Sequence, residues 1–209
     1  MDVAKFKQLP ILGILRGIES DGLESLLAAI ESAGLKTIEI TMNTRGAPEL
    51  IRKACAFSKK RLTIGAGTVL DMKSLKTALK AGATFIVMPV FVKDVMEYCV
   101  KNKIPAFPGA LTPQEIYSAW QSGAAMVKVF PSNFFGPQYF KEIKAPFDDV
   151  ELLACGGVTP QNMRSYFENG ASAVSFGASV FKKEWLLRKE FEAISASIKK
   201  YVDEFSVSR

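Results

Sequence analysis

Lys128 lies in the middle of an apolar run, "AAMVKVFPSN" (124–133), between Val127 and Val129. Burying an unpaired ammonium is costly, so a lysine in such a place needs a partner or a task. Two other charged residues occupy comparable positions: Glu39 alternates with Ile38 and Ile40 in "KTIEIT" (36–41), and Arg16 ends the stretch "ILGILRG" (11–17). An apolar environment disfavours the ammonium form of a lysine, and a neighbouring cation such as Arg16 disfavours it further. A neutral amine attacks carbonyl carbons, and a carboxylate beside it can shuttle protons. Together these residue types are equipped for Schiff-base chemistry, in which an iminium draws in the electrons of a breaking carbon–carbon bond. The blander readings are a buried ion pair, or a lysine snorkelling from a frayed strand end. Placement in three separate strands, with glycine-rich loops late in the chain, counts against both.

Those loops are "CGGVTP" (155–160) and "FGAS" (176–179). Glycines let backbone N–H groups approach an anion closely, and a helix start beyond them adds a favourable dipole. For either loop alone the competing and weaker reading is a tight turn; the two together strengthen the case for phosphate. In "GAGT" (65–68) the glycines fit close packing as well as ligand approach, and the Thr68 hydroxyl is suited to a carboxylate.

Composition removes several alternatives. The 209 residues include no histidine, which excludes histidine-based triads and histidine-ligated zinc. Three cysteines (Cys55, Cys99, Cys155) are odd in number and too dispersed for a metal knuckle, as expected of a reduced, cytoplasmic chain. No apolar run reaches the roughly 18 residues of a membrane span, and the N-terminus lacks a signal-peptide pattern. The net charge is +6, but the lysines scatter over amphipathic segments and cluster only as "KKR" at 59–61. That pattern predicts a solvated surface and no nucleic-acid partner.

Short apolar strands alternate with amphipathic segments. The strands expected are 11–15, 36–41, 62–66, 84–88, 104–108, 126–130, 150–154 and 172–176. A weak repeat supports them: "SAGLKTIEI", "KAGATFIVM", "QSGAAMVKV" and "ENGASAVSF" each run from helix end through glycine into strand. Gly34, Gly82, Gly123 and Gly170 suit left-handed C-caps. The segment 22–33 places Leu23, Leu26, Leu27 and Ile30 on one face, and a final helix places Leu187, Phe191, Ile194, Ile198 and Phe205 on another. Strand–helix alternation implies parallel strands with helical crossovers. Eight such units predict one α/β domain over 1–209, a closed (β/α)₈ TIM barrel at the short end of its size range. An open doubly wound sheet is the alternative, against which no G-x-G-x-x-G opens the first helix. Because strand side chains alternate faces, Ile38, Ile40, Val127 and Val129 should meet the outer helices, sending Glu39 and Lys128 into the barrel.

"LRG" (15–17), "IEIT" (38–41), "GAGTV" (65–69), "VKVFPSNFFGPQ" (127–138) and "GGVTP" (156–160) resemble the class I 2-keto-3-deoxy-6-phosphogluconate (KDPG) aldolases, including those that act on 4-hydroxy-2-oxoglutarate (KHG). The resemblance runs in order from Pro10 to about Val180. It implies a (β/α)₈ barrel, assembled as a homotrimer, that reversibly cleaves a phosphorylated 2-keto-3-deoxy sugar acid to pyruvate and glyceraldehyde 3-phosphate. It also implies that no cofactor is used beyond the covalent Schiff base. By the same resemblance Lys128 is the Schiff-base lysine and Glu39 the acid–base residue. Arg16 and Thr68 match positions near the substrate carboxylate, and Gly157 and Ser179 match the phosphate site, with Gly156, Gly177 and Ser132 close by. "IEITMNT", with Asn43 where gluconate-type enzymes carry arginine, is closer to the 6-phosphogalactonate aldolase pattern, and Cys155 stands where threonine is frequent. The competing readings are a phosphosugar isomerase or epimerase on a phosphate-binding barrel, and a phosphosugar-binding protein without turnover.

Overall fold

The computed structural model describes residues 1–207. Nine strands form one parallel sheet: β1 (Ile11–Leu15), β2 (Thr37–Thr41), β3 (Thr63–Gly67), β4 (Ile86–Val87), β5 (Ala106–Phe107), β6 (Gly109–Ala110), β7 (Val127–Val129), β8 (Leu152–Cys155) and β9 (Ala173–Phe176). The helices are α1 (Val3–Phe6), α2 (Leu23–Ser32), α3 (Ala47–Ser58), α4 (Met72–Ala81), α5 (Lys93–Lys101), α6 (Pro113–Gln121), α7 (Gly136–Lys144), α8 (Pro160–Glu168), α9 (Lys183–Leu187) and α10 (Phe191–Val207). None of the described helices is long and apolar enough to cross a membrane.

The sheet runs β5-β4-β3-β2-β1-β9-β8-β7-β6. Its two outermost strands, β5 and β6, are consecutive pieces of one segment on either side of Pro108, so the sheet closes on itself as a barrel. Proline has no N–H to donate and interrupts the ladder there, while its carbonyl still accepts from the Lys128 N–H at 2.9 Å. Gly109 allows the turn between the halves: a Cβ on it would lie 2.1 Å from the Pro89 carbonyl oxygen. The eight expected strand segments are therefore present, the fifth as a broken pair. Pro89 and Pro131 stand just past the fourth and sixth segments, where they too deny the ladder a donor.

Helix ends follow the sequence signals. Asp71, Thr112 and Thr159 each cap a helix through a capping box, and prolines open α6 and α8. Gly34, Gly82, Gly123 and Gly170 have φ of 89°, 106°, 85° and 96°, the left-handed C-cap conformation that other residues adopt only under strain. The C-terminal helix differs from expectation. The chain breaks between Leu187 and Phe191, with Lys189 at φ 54°, so Leu187 belongs to the short α9 and is 64% exposed. The core-facing stripe of α10 is Ile194, Ile198 and Tyr201.

Burial separates the two faces of the barrel. Ile38, Ile40, Val127 and Val129 belong to the large apolar layer beneath the helices. A second cluster fills the barrel itself: Leu12, Phe85, Val87, Phe107, Met126, Leu153 and Ala173, with Phe6 of α1 packed onto one end. Phe107 meets Phe85 edge-on at 5.7 Å and Phe6 at 6.1 Å, so that end is sealed by aromatic packing. Met126 is inside the barrel, and the same strand face two residues later carries Lys128 toward the opposite, open end.

Candidate active site

Glu39 points into the barrel from β2 and is 1% exposed. Its carboxyl occupies the space that Gly67 of β3 leaves: a Cβ on Gly67 would lie 2.1 Å from Glu39 Oε1. Gly65, two residues earlier, makes room for the Phe85 ring, which a Cβ would approach to 2.3 Å. The "GAG" motif is thus a pair of steric permissions, one for the core and one for the carboxyl. Neither Glu39 oxygen has a hydrogen-bond partner among the described residues. Burial pushes its pKa up, against the opposing pull of the charges on Lys128 and Arg16. A buried carboxyl that holds its proton more readily than usual is suited to act as an acid and then as a base.

Lys128 is 6% exposed. Its Nζ lies 5.1 Å from the centroid of the Phe130 ring, and its charge acts on Glu39. Arg16, at the open end of β1, is exposed and donates from Nη2 to Thr68 Oγ1 at 3.3 Å. Thr68 has φ 55°, left-handed for a β-branched residue, a conformation that costs about 1–3 kcal/mol and that concentrates at ligand sites. The loop after β1 is pinned from β2: Gly17 N–H donates to Thr44 Oγ1 at 3.0 Å, and Thr44 and Thr41 share a hydrogen bond of 2.9 Å.

The two late loops form the opposite wall. A cavity of about 960 Å³ is lined by Arg16, Phe130, Gly156, Gly157, Gly177 and Ser179, among others, and by Cys155. Lys128, Glu39, Thr68 and Ser132 do not line it; Phe130 is the wall residue that touches on Lys128. Gly156 and Gly157 have φ of 104° and 72°, and a Cβ on Gly157 would come within 2.5 Å of Asn133 Cβ. Ser132 is buried, and its hydroxyl donates to the Gly156 carbonyl at 2.7 Å. Asn162 of α8 donates to the Gly157 carbonyl at 3.0 Å, and Tyr201 of α10 donates to the Val158 carbonyl at 2.9 Å. With those carbonyls held on the protein side, the N–H groups of Gly157, Val158, Ala178 and Ser179 donate to no backbone carbonyl among the described residues. Unsatisfied donors beside a cavity make an anion receptor. The loop after β8 leads into α8, whereas the loop after β9 continues as a turn into the five-residue α9.

Of the nine residues named from sequence, Glu39 and Lys128 are both buried inside the barrel, and Arg16 with Thr68 stands at its mouth. Gly156, Gly157, Gly177 and Ser179 line the cavity, and Ser132 braces the first loop from beneath. The positions that sequence reasoning missed are Gly67, Thr44, Asn162 and Tyr201. Tyr201 follows Ile198 by three residues, so the helical period that marked the stripe of α10 extends to it. The fit of Gly67 to Glu39 depends on which strands lie side by side and leaves no local signal.

Gly67→Ala tests that fit. The backbone there suits alanine, yet the methyl group would displace the carboxyl. Turnover is expected to fall about 100-fold, the scale of a 1 Å misplacement, with an unchanged circular dichroism spectrum. Wild-type turnover would show that the placement of Glu39 is not critical.

The family model described as "KDPG and KHG aldolase" matches residues 3–197. The chain is 32% identical over 199 residues to the 2-dehydro-3-deoxy-6-phosphogalactonate aldolase of Escherichia coli, covering 93% of this chain and 95% of that one. It is 34% identical over 159 residues to the 2-dehydro-3-deoxy-phosphogluconate aldolase of Pseudomonas aeruginosa, covering 76% and 70%. A solved structure of native KDPGal superposes with a TM-score of 0.90 at 29% identity, with 96% of each chain covered. The family model spans nearly the whole of this barrel, and the chain belongs to the KDPG and KHG aldolase family.

Proposed function

We propose that this protein, a single domain over 1–209, is a class I aldolase. It cleaves phosphorylated 2-keto-3-deoxy sugar acids to pyruvate and glyceraldehyde 3-phosphate through a Schiff base on Lys128, with no other cofactor. The observation that carries the reading is the burial of both Lys128 and Glu39 inside the barrel, where the charges of Lys128 and Arg16 act on the Glu39 carboxyl. The amine of Lys128 adds to the C2 ketone. Glu39, as the carboxylic acid and through water, protonates the resulting hydroxyl, which leaves as water and yields the iminium. Glu39, now the carboxylate, accepts the proton of the C4 hydroxyl. The C3–C4 bond breaks, its electrons pass into the iminium to give an enamine, and the aldehyde departs. Glu39 returns its proton to C3, and water hydrolyses the pyruvate iminium. Arg16 and Thr68 hold the carboxylate; the loops that carry Gly156, Gly157, Gly177 and Ser179 bind the phosphate through the N–H groups of Gly157, Val158, Ala178 and Ser179, and Ser132 supports them. An isomerase or a binding protein would have no use for a buried lysine facing a buried carboxyl.

The protein acts in the cytoplasm, consistent with three free thiols, and as a homotrimer. Phe134 and Phe135, 74% and 57% exposed next to the site, are apolar surface that a second copy would cover.

Asn43 and Cys155 supply neither a cation nor a hydroxyl to the distal part of the substrate, which favours galactonate-type activity. The test is cleavage of both 6-phosphorylated epimers, following pyruvate release. Measurable galactonate cleavage is expected. A gluconate preference of about 100-fold, about 2.7 kcal/mol, would contradict it, and no cleavage of either epimer would refute the aldolase reading.

A further inference from the structure

Three consecutive carbonyls of the first glycine loop are each held by a different element. Gly156 accepts from Ser132, Gly157 from Asn162 of α8 and Val158 from Tyr201 of α10. The first two donors serve that loop alone. Tyr201 also reaches the second loop: its ring packs on Phe176, the residue before Gly177, with centroids 4.5 Å apart. Tyr201 thus joins the two loops, its hydroxyl to Val158 of one and its ring to Phe176 at the root of the other. At 2% exposure it stands behind both and does not face the cavity.

We propose that Tyr201 is a positioning residue that sets the two anion-binding loops relative to each other, and so controls how strongly the enzyme favours phosphorylated over unphosphorylated 2-keto acids. The inference rests on the phosphate reading of these loops. An anion receptor made of backbone N–H groups works only when its donors converge, and the two sets here come from separate strands, β8 and β9. Tying Val158 O to Tyr201 fixes the position of residue 158, whose own N–H is one of the unsatisfied donors. Packing the ring of the same residue on Phe176 keeps the second set at a constant distance. Schiff-base chemistry at Lys128 takes place at the other end of the substrate and does not depend on this link.

The test is Tyr201→Phe, which keeps the ring on Phe176 and removes only the hydroxyl. For a phosphorylated substrate, KM is expected to rise about tenfold with kcat within twofold, and the inhibition constant of inorganic phosphate should rise in parallel. For 4-hydroxy-2-oxoglutarate, which has no phosphate, kcat/KM should change by less than twofold. An unchanged KM for the phosphorylated substrate, or equal losses on both, would overturn the inference. If wild type were insensitive to inorganic phosphate, the phosphate reading would fall together with the role of Tyr201. A wild type that responds to phosphate beside a variant that behaves identically would overturn the role alone. Should the variant not fold, hydrogen exchange on wild type decides. Added inorganic phosphate is expected to protect 156–158, 177–179 and the turn of α10 around Tyr201 together, and protection that bypasses α10 would overturn the proposal.

Discussion

Lys128→Ala is expected to lower aldol cleavage by on the order of 10⁵-fold, the scale of removing a covalent nucleophile from an otherwise intact site. The cavity, the glycine loops and Arg16 stay in place, so substrate still binds, but no iminium can form to take up the electrons of the C3–C4 bond. Lys128→Arg should be nearly as inactive, because a guanidinium stays protonated and cannot add to a ketone. Neither change is expected to unfold the protein: Lys128 donates no side-chain hydrogen bond among the described residues, and its apolar neighbours Val127 and Val129 pack on the other face of β7. Pyruvate release, measured alongside a melting curve, separates the two effects. Cleavage within tenfold of wild type in a folded Lys128→Ala variant would remove the lysine from the mechanism.

Glu39→Gln has the second-largest expected effect, a fall in turnover of about 10²- to 10⁴-fold, the usual contribution of general acid–base catalysis. The amide has nearly the shape of the carboxyl, so the packing against Gly67 survives and binding of the phosphate end is undisturbed. The same substitution has a predictable consequence for stability. Desolvation raises the Glu39 pKa in the folded chain above its ordinary value of 4.5, with Lys128 and Arg16 opposing. Between the unfolded and folded values the native state therefore binds more protons than the unfolded state, and stability falls as pH rises through that window. Glutamine has no charge to bury. Glu39→Gln should thus be more stable than wild type at pH 8, with the advantage shrinking toward pH 4. A variant equally destabilised at both pH values would indicate that the carboxylate is favourably solvated in the native state.

How much of this was legible in the sequence depends on the range of the interaction. Alternation along "TIEIT" and "MVKVF" was enough to send Glu39 and Lys128 inward, because the outer helices must cover Ile38, Ile40, Val127 and Val129. The glycine loops were legible from their composition. The division of the fifth strand around Pro108 was not, since it depends on Gly109 meeting the backbone of Pro89 in the neighbouring connection. The break before α10 was also missed: the apolar period continues through Leu187, but the chain turns at Lys189 and leaves Leu187 in solvent. Gly67 and Tyr201 act across strands and helices far apart in sequence. A strand pattern shows that a side chain points inward; it does not show which glycine makes room for it, or which phenol holds the loop above it.

The most direct test of the central claim is covalent. The wild-type protein is incubated with pyruvate and sodium borohydride, digested, and the peptide spanning 127–138 is sequenced by mass spectrometry. The account predicts a single reduced pyruvate adduct on Lys128 and complete loss of activity in proportion to labelling. Labelling at another lysine, or none while cleavage activity persists, would contradict it.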